Sequence, residues 1–590
     1  MTSRLPRSDT PFVLLDDARV AGAAPARLYV DPVEIVVTRR MENVPTALDA
    51  LRTATRGGLH AAGYLAYEAG HAFEPKLTPR VAAYADAPLL WFGLFRGFEE
   101  IAADDIPALL PDVAGAWIGA PTPDIARAEY DTAMARVQAL IEAGDIYQAN
   151  LTFGATVKTA GHPLALYAGL RARAQAGYGG VIHTGSNWIL SLSPELFFAC
   201  DGTNVRTRPM KGTAVRCDDP DADRAAVDAL RSDPKQCAEN LMIVDLLRND
   251  LSRIAVPGSV AVPELFRVET YPTVHQMTST VTAAVAKGLD AVDILRALYP
   301  CGSITGAPKI RAMEAIADVE AGPRGVYTGS IGRIDAGGVE AAFNVAIRTL
   351  SFNGTDARLG LGSGIVADSI PRDEWAECLA KGKFIASPRQ FDLIETMAFD
   401  PIDGIARLER HLQRMKNSAA ALGFVFDRHA ARNELQAATF HLRARRKVRL
   451  LLGRSGAMAI ETHPLPDPPT DHVTVALAAL PVAGDDFRLR HKTTDRRFYD
   501  AARRGVFEVL FMHPDGQLTE GSFTNIFVSE DEMLLTPPLA CRTDTTLTPS
   551  ACNASASSRW PRQRAASGSV TLFNRACESS STVSSSAPWK

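Results

Sequence analysis

Short apolar runs separated by glycine and proline dominate the first 120 residues, and they predict a mostly β segment. Phe12–Leu15, Glu34–Val37 and Leu89–Gly93 are typical runs, whereas Val44–Arg56 has the spacing of a helix. No residue type or spacing in this N-terminal region, residues 1–120, indicates chemistry. We therefore assign it to the framework of the protein and place no active-site residue in it.

A helical pattern follows from Ala126, where apolar residues recur at helical spacing until Gly144, a residue type that commonly ends helices. The apolar face consists of Tyr130, Met134, Val137, Leu140 and Ile141. The next stretch, Asp145–Thr152, predicts a passage from helix into strand. Its polar side chains are more typical of sheet bracing than of catalysis.

A hairpin is predicted around the turn Asp201–Asn204, with Leu196–Phe198 and Val205–Thr207 as its strands. Because a hairpin folds its ends back together, Glu195 and Lys211 would meet at one end of a sheet. A carboxyl and an amine that converge in a cleft combine a general acid with a nucleophile. The pattern alone leaves open the commoner alternative, an exposed ion pair that contributes little to stability.

Composition and charge narrow the class of protein. The 590 residues could hold about four lobes of roughly 150 residues each. The net charge of −4 and the hydrophobic content of 46% are ordinary, and no basic stripe indicates nucleic acid. We see no secretory signal, no apolar run near about eighteen residues, and eight cysteines scattered singly. We expect a cytoplasmic protein without a membrane span, a disulfide framework or a zinc ribbon.

A second predicted helix carries acidic residues. Asp233-Pro234 is a typical helix start, and the helix that runs from there to Asp250 is apolar enough to be buried on most sides. Carboxylates on such a helix are costly unless they are paired or bound to metal. A salt bridge to Arg248 is one alternative, and it suits Asp245 better than Glu239.

Several stretches resemble the chorismate-utilising enzymes, the family of anthranilate synthase, isochorismate synthase and aminodeoxychorismate synthase large subunits. They are Ser193–Glu195 with Pro209–Thr213, Gly144–Thr152, Glu239–Asp250 and Gly302–Lys309. Lys211 resembles the aminodeoxychorismate synthase branch, because anthranilate synthases typically carry alanine there. The resemblance implies an α/β (α+β) fold, a two-sheet sandwich with outer helices, whose catalytic domain spans residues 121–385.

The resemblance also assigns roles to individual residues. It implies that Lys211 is a nucleophile, that Glu195 is a general acid, and that His275 faces the C4 hydroxyl of chorismate. Tyr327 and Arg348 are predicted to lie on consecutive strands, and an arginine on an apolar strand requires a planar anion. The glycine-rich turn before a helix is predicted to present exposed backbone N–H groups, which suit a carboxylate. The residues that the resemblance implies for substrate binding are Tyr327, Arg348, Gly362, Ser363, Gly364, Thr305 and Gly306.

A Mg²⁺ site is expected where two predicted helices present carboxylates. Glu374, Glu377 and Lys381 are spaced i, i+3 and i+7, so they share one helical face. Carboxylates that face a cleft repel each other unless a cation lies between them, and Mg²⁺ is held by a few carboxylates, waters and substrate. The resemblance implies Glu239 and Glu377 as direct ligands, with Glu374 reaching the metal through water.

A second unit is predicted to begin at residue 391, after a short linker at 386–390. Leu408–Ser418 resembles the H-L-x-R-x-x-x-S helix of class IV pyridoxal phosphate (PLP) enzymes, which implies that Arg414 binds the cofactor phosphate. Lys492 resembles the Schiff-base lysine, and Glu520 resembles the partner of the pyridine nitrogen. Taken alone, Lys492 could equally be a solvated lysine in a basic loop.

The class IV resemblance, assigned to residues 391–541, stops at Thr536–Cys541. Residues 542–590 are rich in Ser, Thr, Ala and Arg and have no apolar periodicity, which predicts a disordered tail or an altered reading frame. We therefore expect the second unit to be incomplete, without half of its phosphate site and part of its core.

Together the resemblances imply two steps of p-aminobenzoate synthesis in one chain. Residues 1–385 resemble component I of aminodeoxychorismate synthase, which takes ammonia from a separate glutamine amidotransferase, and the second unit resembles aminodeoxychorismate lyase. Anthranilate synthase is the alternative for the first unit. For the second, a branched-chain or D-amino-acid aminotransferase, or a non-catalytic docking or dimerisation module, stays open.

Overall fold

The computed structural model describes residues 5–6, 9–77, 87–271, 274–385, 390–466, 473–503, 505–514, 516–530, 533–535, 570–574 and 580–583. The chain divides into two compact units. The first comprises Met1–Pro111, Ala120–Val157 and Leu166–Ala386. The second comprises Asp112–Gly119, Lys158–Ala165 and Ser387–Lys590. The predicted linker at 386–390 lies outside the described residues except for its last position.

Strands are distributed through the described part of the chain up to residue 385. They are β1 (Phe12–Asp16), β2 (Ala26–Val30), β3 (Glu34–Thr38), β4 (His60–Leu65), β5 (Leu90–Phe95), β6 (Glu99–Ile101), β7 (Trp117–Ile118), β8 (Thr122–Pro123), β9 (Gln148–Ala160), β10 (Tyr178–His183), β11 (Trp188–Ser193), β12 (Leu196–Asp201), β13 (Asn204–Arg208), β14 (Met210–Val215), β15 (Ala261–Thr270), β16 (Val274–Ala284), β17 (Gly306–Ala307), β18 (Ser330–Ile334), β19 (Glu340–Asn344), β20 (Thr349–Asn353) and β21 (Asp356–Ile365).

The helices in the same part of the chain are α1 (Val44–Arg56), α2 (Ile106–Leu109), α3 (Arg127–Glu142), α4 (Pro163–Ala174), α5 (Pro220–Ser232), α6 (Pro234–Ser252), α7 (Ala291–Leu298), α8 (Lys309–Val319) and α9 (Pro371–Gly382). The predicted helix Val44–Arg56 is confirmed in full, and Gly144 follows the end of α3 with a φ of 78°.

Two antiparallel sheets form the first unit, so the predicted mixed α/β class is confirmed. One has the hydrogen-bonded order β17-β9-β21-β20-β11-β10-β1-β2-β6, and the other β14-β16-β13-β12-β19-β18-β4-β5-β3. Val13 and Ile182 of the first sheet share a buried core with Tyr64, Trp91 and Ile331 of the second. The sheets therefore pack face to face, as in a sandwich.

Local sequence signals explain the elements that carry the site. The predicted hairpin is present, because β12 and β13 pair with Ala199 opposite Arg206. The start of α6 is also as predicted, since the Asp233 side chain accepts from the backbone N–H of Lys235 at 2.9 Å. The prediction that α6 is buried on most sides is wrong. Its buried residues form one face, and Leu241 on another side is 44% exposed.

The second unit has its own core. Its strands are β22 (Leu393–Asp400), β23 (Gly404–Ile405), β24 (Arg446–Leu452), β25 (Met458–Pro464), β26 (Val475–Ala479), β27 (Glu508–Met512), β28 (Leu518–Gly521), β29 (Thr524–Glu530), β30 (Met533–Leu535), β31 (Val570–Asn574) and β32 (Ser580–Val583). Its helices are α10 (Leu408–Leu422), α11 (Arg428–Thr439), α12 (Phe487–Arg490) and α13 (Arg497–Ala502).

One sheet of this unit has the order β23-β22-β24-β25, and α10 and α11 contribute to a buried core with it. Trp117, from the segment Asp112–Gly119, belongs to that core and is 1% exposed. Its indole ring lies edge-on to Phe391, with the ring centroids 6.4 Å apart. A residue assigned to the N-terminal region by its position in the sequence therefore packs in the second unit.

Two segments of the tail differ from the expected disorder. β31 pairs antiparallel with β29, and β32 pairs with β31. Val570–Asn574 contains valine, threonine, leucine and phenylalanine, residue types that favour strands. The rest of 542–590, and the end of the class IV resemblance at Thr536–Cys541, lie outside the described residues.

Among the helices in the described ranges, none combines the length and the apolar character that crossing a bilayer requires.

Candidate active site

Glu195 and Lys211 lie close together in the first unit. Glu195 precedes β12 and Lys211 is the second residue of β14. The carboxyl is 4% exposed, whereas Lys211 is half-buried. Each charge affects the pKa of the other group, so the hairpin brings them together as predicted from the turn between its strands.

The carboxyl of Glu195 is set up as a proton donor near neutral pH. Burial raises its pKa to about 7, although a hydrogen bond from Ser303 and the charge of Lys211 act in the opposite direction. The Ser303 hydroxyl donates to Oε1 of Glu195 at 2.6 Å. Sequence reasoning missed Ser303, even though it lies in the glycine-rich stretch that carried the resemblance.

The amine of Lys211 is biased towards its neutral form. Burial lowers its pKa, and the positive charge of Lys381 lowers it further, against the opposing effects of Glu195, Glu239 and Glu377. A lysine with an ordinary pKa near ~10.4 would be almost fully protonated at neutral pH. This environment therefore increases the fraction of nucleophilic amine.

The predicted glycines of β21 allow a close approach of β9. A Cβ at Gly362 would lie 2.7 Å from the carbonyl oxygen of Leu151, and one at Gly364 would lie 2.6 Å from Nε2 of Gln148. The Gly364 position is also 3.6 Å from Nζ of Lys211. Gln148 is 2% exposed, and its Oε1 has no hydrogen-bond partner in the described part of the chain. Ser363, between the glycines, accepts from the thiol of Cys378 at 3.6 Å.

The three predicted metal ligands come from α6 and α9. Burial raises the pKa of Glu239, and the charges of Glu377 and Glu374 raise it further. Glu377 forms an ion pair with Lys381, with Nζ and Oε1 2.8 Å apart, and Glu374 accepts from Ser369 at 2.7 Å. The three carboxylates are thus electrostatically coupled.

These donors fit Mg²⁺ in their chemistry, because all are carboxylate oxygens. Within the described ranges, no group of three or more His, Cys, Asp or Glu side chains is close enough together to hold a metal ion. Two carboxylates completed by water and substrate are the arrangement that Mg²⁺ commonly accepts. Lys381 pairs with one carboxylate oxygen of Glu377, and its amine also donates to the carbonyl of Gly362 at 3.0 Å.

Both ring nitrogens of His275 contact protein groups. Nε2 lies 2.8 Å from Oδ1 of Asp223 on α5, and Nδ1 lies 3.0 Å from Oγ1 of Thr270. Arg216 and other hydrogen-bond donors lower the pKa of Asp223, so this carboxyl stays ionised. His275 is therefore held by α5 and β15, and its predicted role towards a C4 hydroxyl stays a prediction.

The glycine-rich turn is buried in the structure, whereas the sequence suggested exposed backbone N–H groups. Thr305 is fully buried, and its N–H donates to the carbonyl of Gly302 at 3.2 Å. Gly306 belongs to β17, which pairs with β9 opposite Ala149. The turn is thus bound to β9, and its predicted contact with substrate is not tested by these contacts.

Tyr327 and Arg348 lie in connections, and the prediction that they sit on strands is wrong. Tyr327 precedes β18 and Arg348 precedes β20. Thr328 and Arg348 have φ values of 59° and 50°, a left-handed conformation that interrupts a strand. The backbone N–H of Thr328 donates to the carbonyl of Ala346 at 3.0 Å, so the two connections are neighbours.

Arg348 carries a half-buried charge that has no anionic partner among the described residues. Burial lowers the pKa of its guanidinium, and Tyr271 opposes this effect. The guanidinium lies 6.0 Å from the ring of Phe384. Among the described residues, no carboxylate lies within salt-bridge distance of Arg348. A guanidinium in this condition suits a carboxylate ligand, and the predicted role of Arg348 in substrate binding stays a prediction.

In the second unit the predicted phosphate ligand already has a counterion. Arg414 donates to both carboxylate oxygens of Glu395, at 2.7 and 2.5 Å, and His411 lies 2.7 Å from one of them. Burial acts to raise the pKa of Glu395, but Arg414 and His411 outweigh it and lower the pKa to about 2. Part of the Arg414 guanidinium is therefore engaged within the protein.

The other two predicted cofactor residues have different environments. Glu520 is 3% exposed and accepts from the hydroxyl of Tyr499. The carbonyl of Lys492 accepts from the N–H of Ile394 at 3.0 Å, which fixes its backbone beside β22. A lysine amine and a buried carboxylate are the donor types that PLP requires, so their chemistry fits this cofactor.

Similarity to known proteins extends over both units. The family model for chorismate binding enzymes matches residues 16–387, and that for class IV amino-transferases matches residues 392–557. An aminodeoxychorismate synthase component 1 from Klebsiella aerogenes is 38% identical over 346 residues, which are 54% of this chain and 75% of that protein. The same-named protein of Salmonella typhimurium is 42% identical over 265 residues, which are 45% of this chain and 58% of that protein.

A solved structure shares the fold of the first unit. Anthranilate synthase component I from Streptococcus pneumoniae superimposes with a TM-score of 0.53 at 25% identity, covering 62% of this chain and 93% of that one. The predicted combination of a chorismate-binding unit with a class IV unit is therefore confirmed.

Proposed function

The chain belongs to the chorismate binding enzyme family, and from that premise we propose that its first unit aminates chorismate to 4-amino-4-deoxychorismate. One observation supports the proposal most directly. A carboxyl with its pKa raised to about 7, Glu195, lies beside an amine whose pKa is lowered, Lys211. This pair can deliver a proton and a nucleophile at the same pH.

In the proposed reaction the neutral amine of Lys211 adds at C2 of chorismate. The ring double bonds shift, and the C4 hydroxyl leaves as water after Glu195 gives it a proton. Ammonia then attacks C4, the double bonds shift back, and the bond from C2 to the lysine breaks. The amine of Lys211 is restored, and the net change replaces the C4 hydroxyl by an amino group.

Arg348 supports binding of a substrate carboxylate, because its charge is half-buried without an anion among the described residues. Tyr327 and the segment Gly362–Gly364 are proposed to contact the same group. Mg²⁺, held by Glu239 and Glu377 with Glu374 through water, would neutralise charge on the second carboxylate. Thr305 and Gly306 are proposed to line the chorismate site, and His275 is proposed to face the C4 hydroxyl.

The nitrogen is proposed to arrive as ammonia from a glutamine amidotransferase subunit. The word component in the names of the relatives supports a partner of this kind. The proposed reaction at Glu195 and Lys211 consumes ammonia itself. An ammonium salt should therefore replace the amidotransferase subunit in the assay.

The second unit is proposed to act on the product as an aminodeoxychorismate lyase, releasing pyruvate and p-aminobenzoate. PLP would supply the electron sink, bound through Lys492, Glu520 and Arg414. Lys492 would also move the proton. The pairing of Arg414 with Glu395 engages part of the guanidinium that would bind the phosphate.

Anthranilate synthase is the second candidate for the first unit, because a protein of that name shares its fold. Lys211 favours amination at C4, since the nucleophile at C2 prevents ammonia from entering there. For the second unit a branched-chain or D-amino-acid aminotransferase, or a docking module, would use the same fold.

The test is to incubate the full chain with chorismate, Mg²⁺ and ammonium, and to identify the products by mass spectrometry. Aminodeoxychorismate is the expected product of the first unit, and p-aminobenzoate with pyruvate would mean that the second unit is active. Anthranilate as the product would refute the assignment. A Lys211→Ala variant should lose any adduct of the chain with the substrate skeleton in intact-mass spectra.

A further inference from the structure

We propose that Arg324 is a positioning residue that holds three segments of the active site in register. The segments are the glycine-rich turn around Ile304, the start of β9 around Asn150 and the turn that contains Tyr327. This inference rests on the proposed function, because it concerns the geometry of the same site.

The guanidinium of Arg324 is buried and donates to two carbonyl groups that are distant in the sequence. Its side chain is 2% exposed. Nη1 donates to the carbonyl of Ile304 at 2.9 Å, and Nη2 donates to the carbonyl of Asn150 at 2.6 Å. Nη1 also lies 3.4 Å from Oγ1 of Thr328. One side chain thus connects the turn, β9 and the connection that bears Tyr327.

The positive charge of Arg324 is balanced by the carboxylate of Glu320. Nη2 and Nε of Arg324 contact the carboxylate of Glu320 at 2.7 and 2.9 Å. Oε1 of Glu320 also accepts from the backbone N–H of Thr152, at 2.8 Å, which attaches the carboxylate to β9. Burial of the guanidinium is therefore offset by a paired and fully hydrogen-bonded counterion.

The backbone at Arg324 is fixed as well. The buried carboxyl of Glu68 accepts from the N–H of Arg324 at 2.7 Å and from that of Gly325 at 3.1 Å. The guanidinium lies over the ring of Tyr67, 4.3 Å from its centroid. The side chain therefore has one defined direction from which its donors reach the three segments.

Each segment carries a side chain of the candidate site close to its contact with Arg324. Ser303, which donates to Glu195, precedes Ile304. Gln148, which lies against Gly364 near the Lys211 amine, is two positions before Asn150. Moving any of these segments would displace the proton donor or the amine from the substrate.

A planar guanidinium is required for this function. Its donors diverge in a fixed plane, so they reach Ile304, Asn150 and Glu320 at once. A lysine ammonium is a point charge on a flexible stem and does not satisfy two separated carbonyls and a carboxylate with the same geometry. Arg324→Lys therefore keeps the positive charge but no longer holds the three segments in their relative positions.

The matched control is Arg171, another arginine of the first unit with a buried ion pair. Its Nε lies 2.6 Å from Oδ2 of Asp16, and its Nη2 donates to the carbonyl of Ala103 at 3.1 Å. Arg171→Lys removes a comparable planar contact from a part of the fold that carries no candidate site residue. A general effect of arginine loss on stability would appear in both variants.

The experiment measures chorismate consumption by the full chain with Mg²⁺ and ammonium, together with the melting temperature of each variant. We expect Arg324→Lys to lower kcat by about 100-fold, because small misplacements of reacting groups have effects of that size. KM for chorismate should change less than kcat, since Arg348 is intact. Arg171→Lys should retain kcat at a similar melting temperature.

Added guanidinium chloride at low millimolar concentration should restore part of the activity of Arg324→Ala.

Two results would overturn the proposal: kcat of Arg324→Lys within about threefold of wild type, or equal losses in Arg324→Lys and Arg171→Lys that follow their melting temperatures. If Arg324→Ala does not fold, the lysine variant decides. If the wild-type chain consumes no chorismate, the proposed function fails before Arg324 is tested. If it makes anthranilate instead, the comparison of kcat values still tests Arg324.

Discussion

At the scale of single residues, the candidate site depends on two groups whose pKa values are shifted towards each other. Burial raises the pKa of Glu195 and lowers that of Lys211, so the protonated acid and the neutral amine coexist over a wider pH range. Their convergence was predictable, because a turn between two strands brings its flanks together. Ser303 and Arg324 were not predictable, because their contacts join distant parts of the sequence and leave no local pattern.

The raised pKa of Glu195 predicts the alkaline limb of the pH profile. Glu195 must be protonated to act, so loss of its proton should limit kcat as pH rises through about 7. The growing neutral fraction of Lys211 offsets this loss until that amine is fully neutral, and kcat falls at higher pH. Glu195→Gln should lose this limb and at least about 100-fold in kcat. Ser303→Ala removes a hydrogen bond that lowers the pKa, so it should move the limb to higher pH. An unchanged limb in Ser303→Ala would contradict the role given to this contact.

The half-buried charge of Arg348 predicts opposite effects on binding and stability. Arg348→Met removes a carboxylate ligand, so KM for chorismate should rise at least about tenfold. The free energy of unfolding should stay within about 1 kcal/mol of wild type or increase, because a half-buried charge without an anionic partner among the described residues is removed. Urea unfolding and steady-state kinetics check the two effects.

Arg173 offers a matched control for this variant. Burial also lowers its pKa, and its Nη2 donates to the carbonyl of Ile385 at 3.4 Å. Arg173→Met should leave KM unchanged. A loss of stability in Arg348→Met without a change in KM would refute the binding role.

At the scale of elements, sequence patterns predicted which helices and strands form better than they predicted which of their faces are buried. The start of α6, the hairpin and α1 followed from capping residues, a turn and apolar spacing. The burial of α6 did not, because an apolar composition does not reveal which faces the rest of the chain covers. The connections at Tyr327 and Arg348 were missed for a related reason, since their left-handed residues are not glycine.

Between α10 and β22 the buried cluster of Glu395, Arg414 and His411 predicts acid sensitivity of the second unit. The pKa of Glu395 is lowered to about 2, below the value of about 4.3 for an unfolded glutamate. Its contribution to stability is therefore present above pH 4.3 and is lost as pH falls through about 2. Glu395→Gln should destabilise the second unit by about 3 kcal/mol at pH 7.

Hydrogen exchange of β22, followed by mass spectrometry between pH 7 and acid, measures this effect. Glu461→Gln is the control, because Glu461 forms an exposed ion pair with Arg449. Equal protection of β22 in both variants would contradict the prediction.

At the scale of the whole molecule, the two functional halves were predictable from short motifs, whereas the path of the chain between them was not. Motifs mark where a unit carries its chemistry. Motifs do not show which distant residue completes the core of a unit, and Trp117 is such a residue in this chain.

Trp117→Ala should therefore affect the second unit selectively. Removal of a fully buried indole leaves a cavity, so the free energy of unfolding of that unit should fall by about 3 to 5 kcal/mol. Hydrogen exchange in β24, which shares the core with Trp117, should become faster. The rate of chorismate consumption should not change. Loss of that rate, or full protection of β24, would show that Trp117 does not have this role.

The placement of Trp117 also bears on how such a chain could be inherited. The second unit is assembled from Asp112–Gly119, Lys158–Ala165 and Ser387–Lys590. A recombination that cut the gene at the codons for 386–389 would give a downstream gene without the indole of its own core. Neither gene fission nor transfer of the downstream part alone would therefore preserve the second unit. Selection for the second unit would therefore keep the two halves in one reading frame.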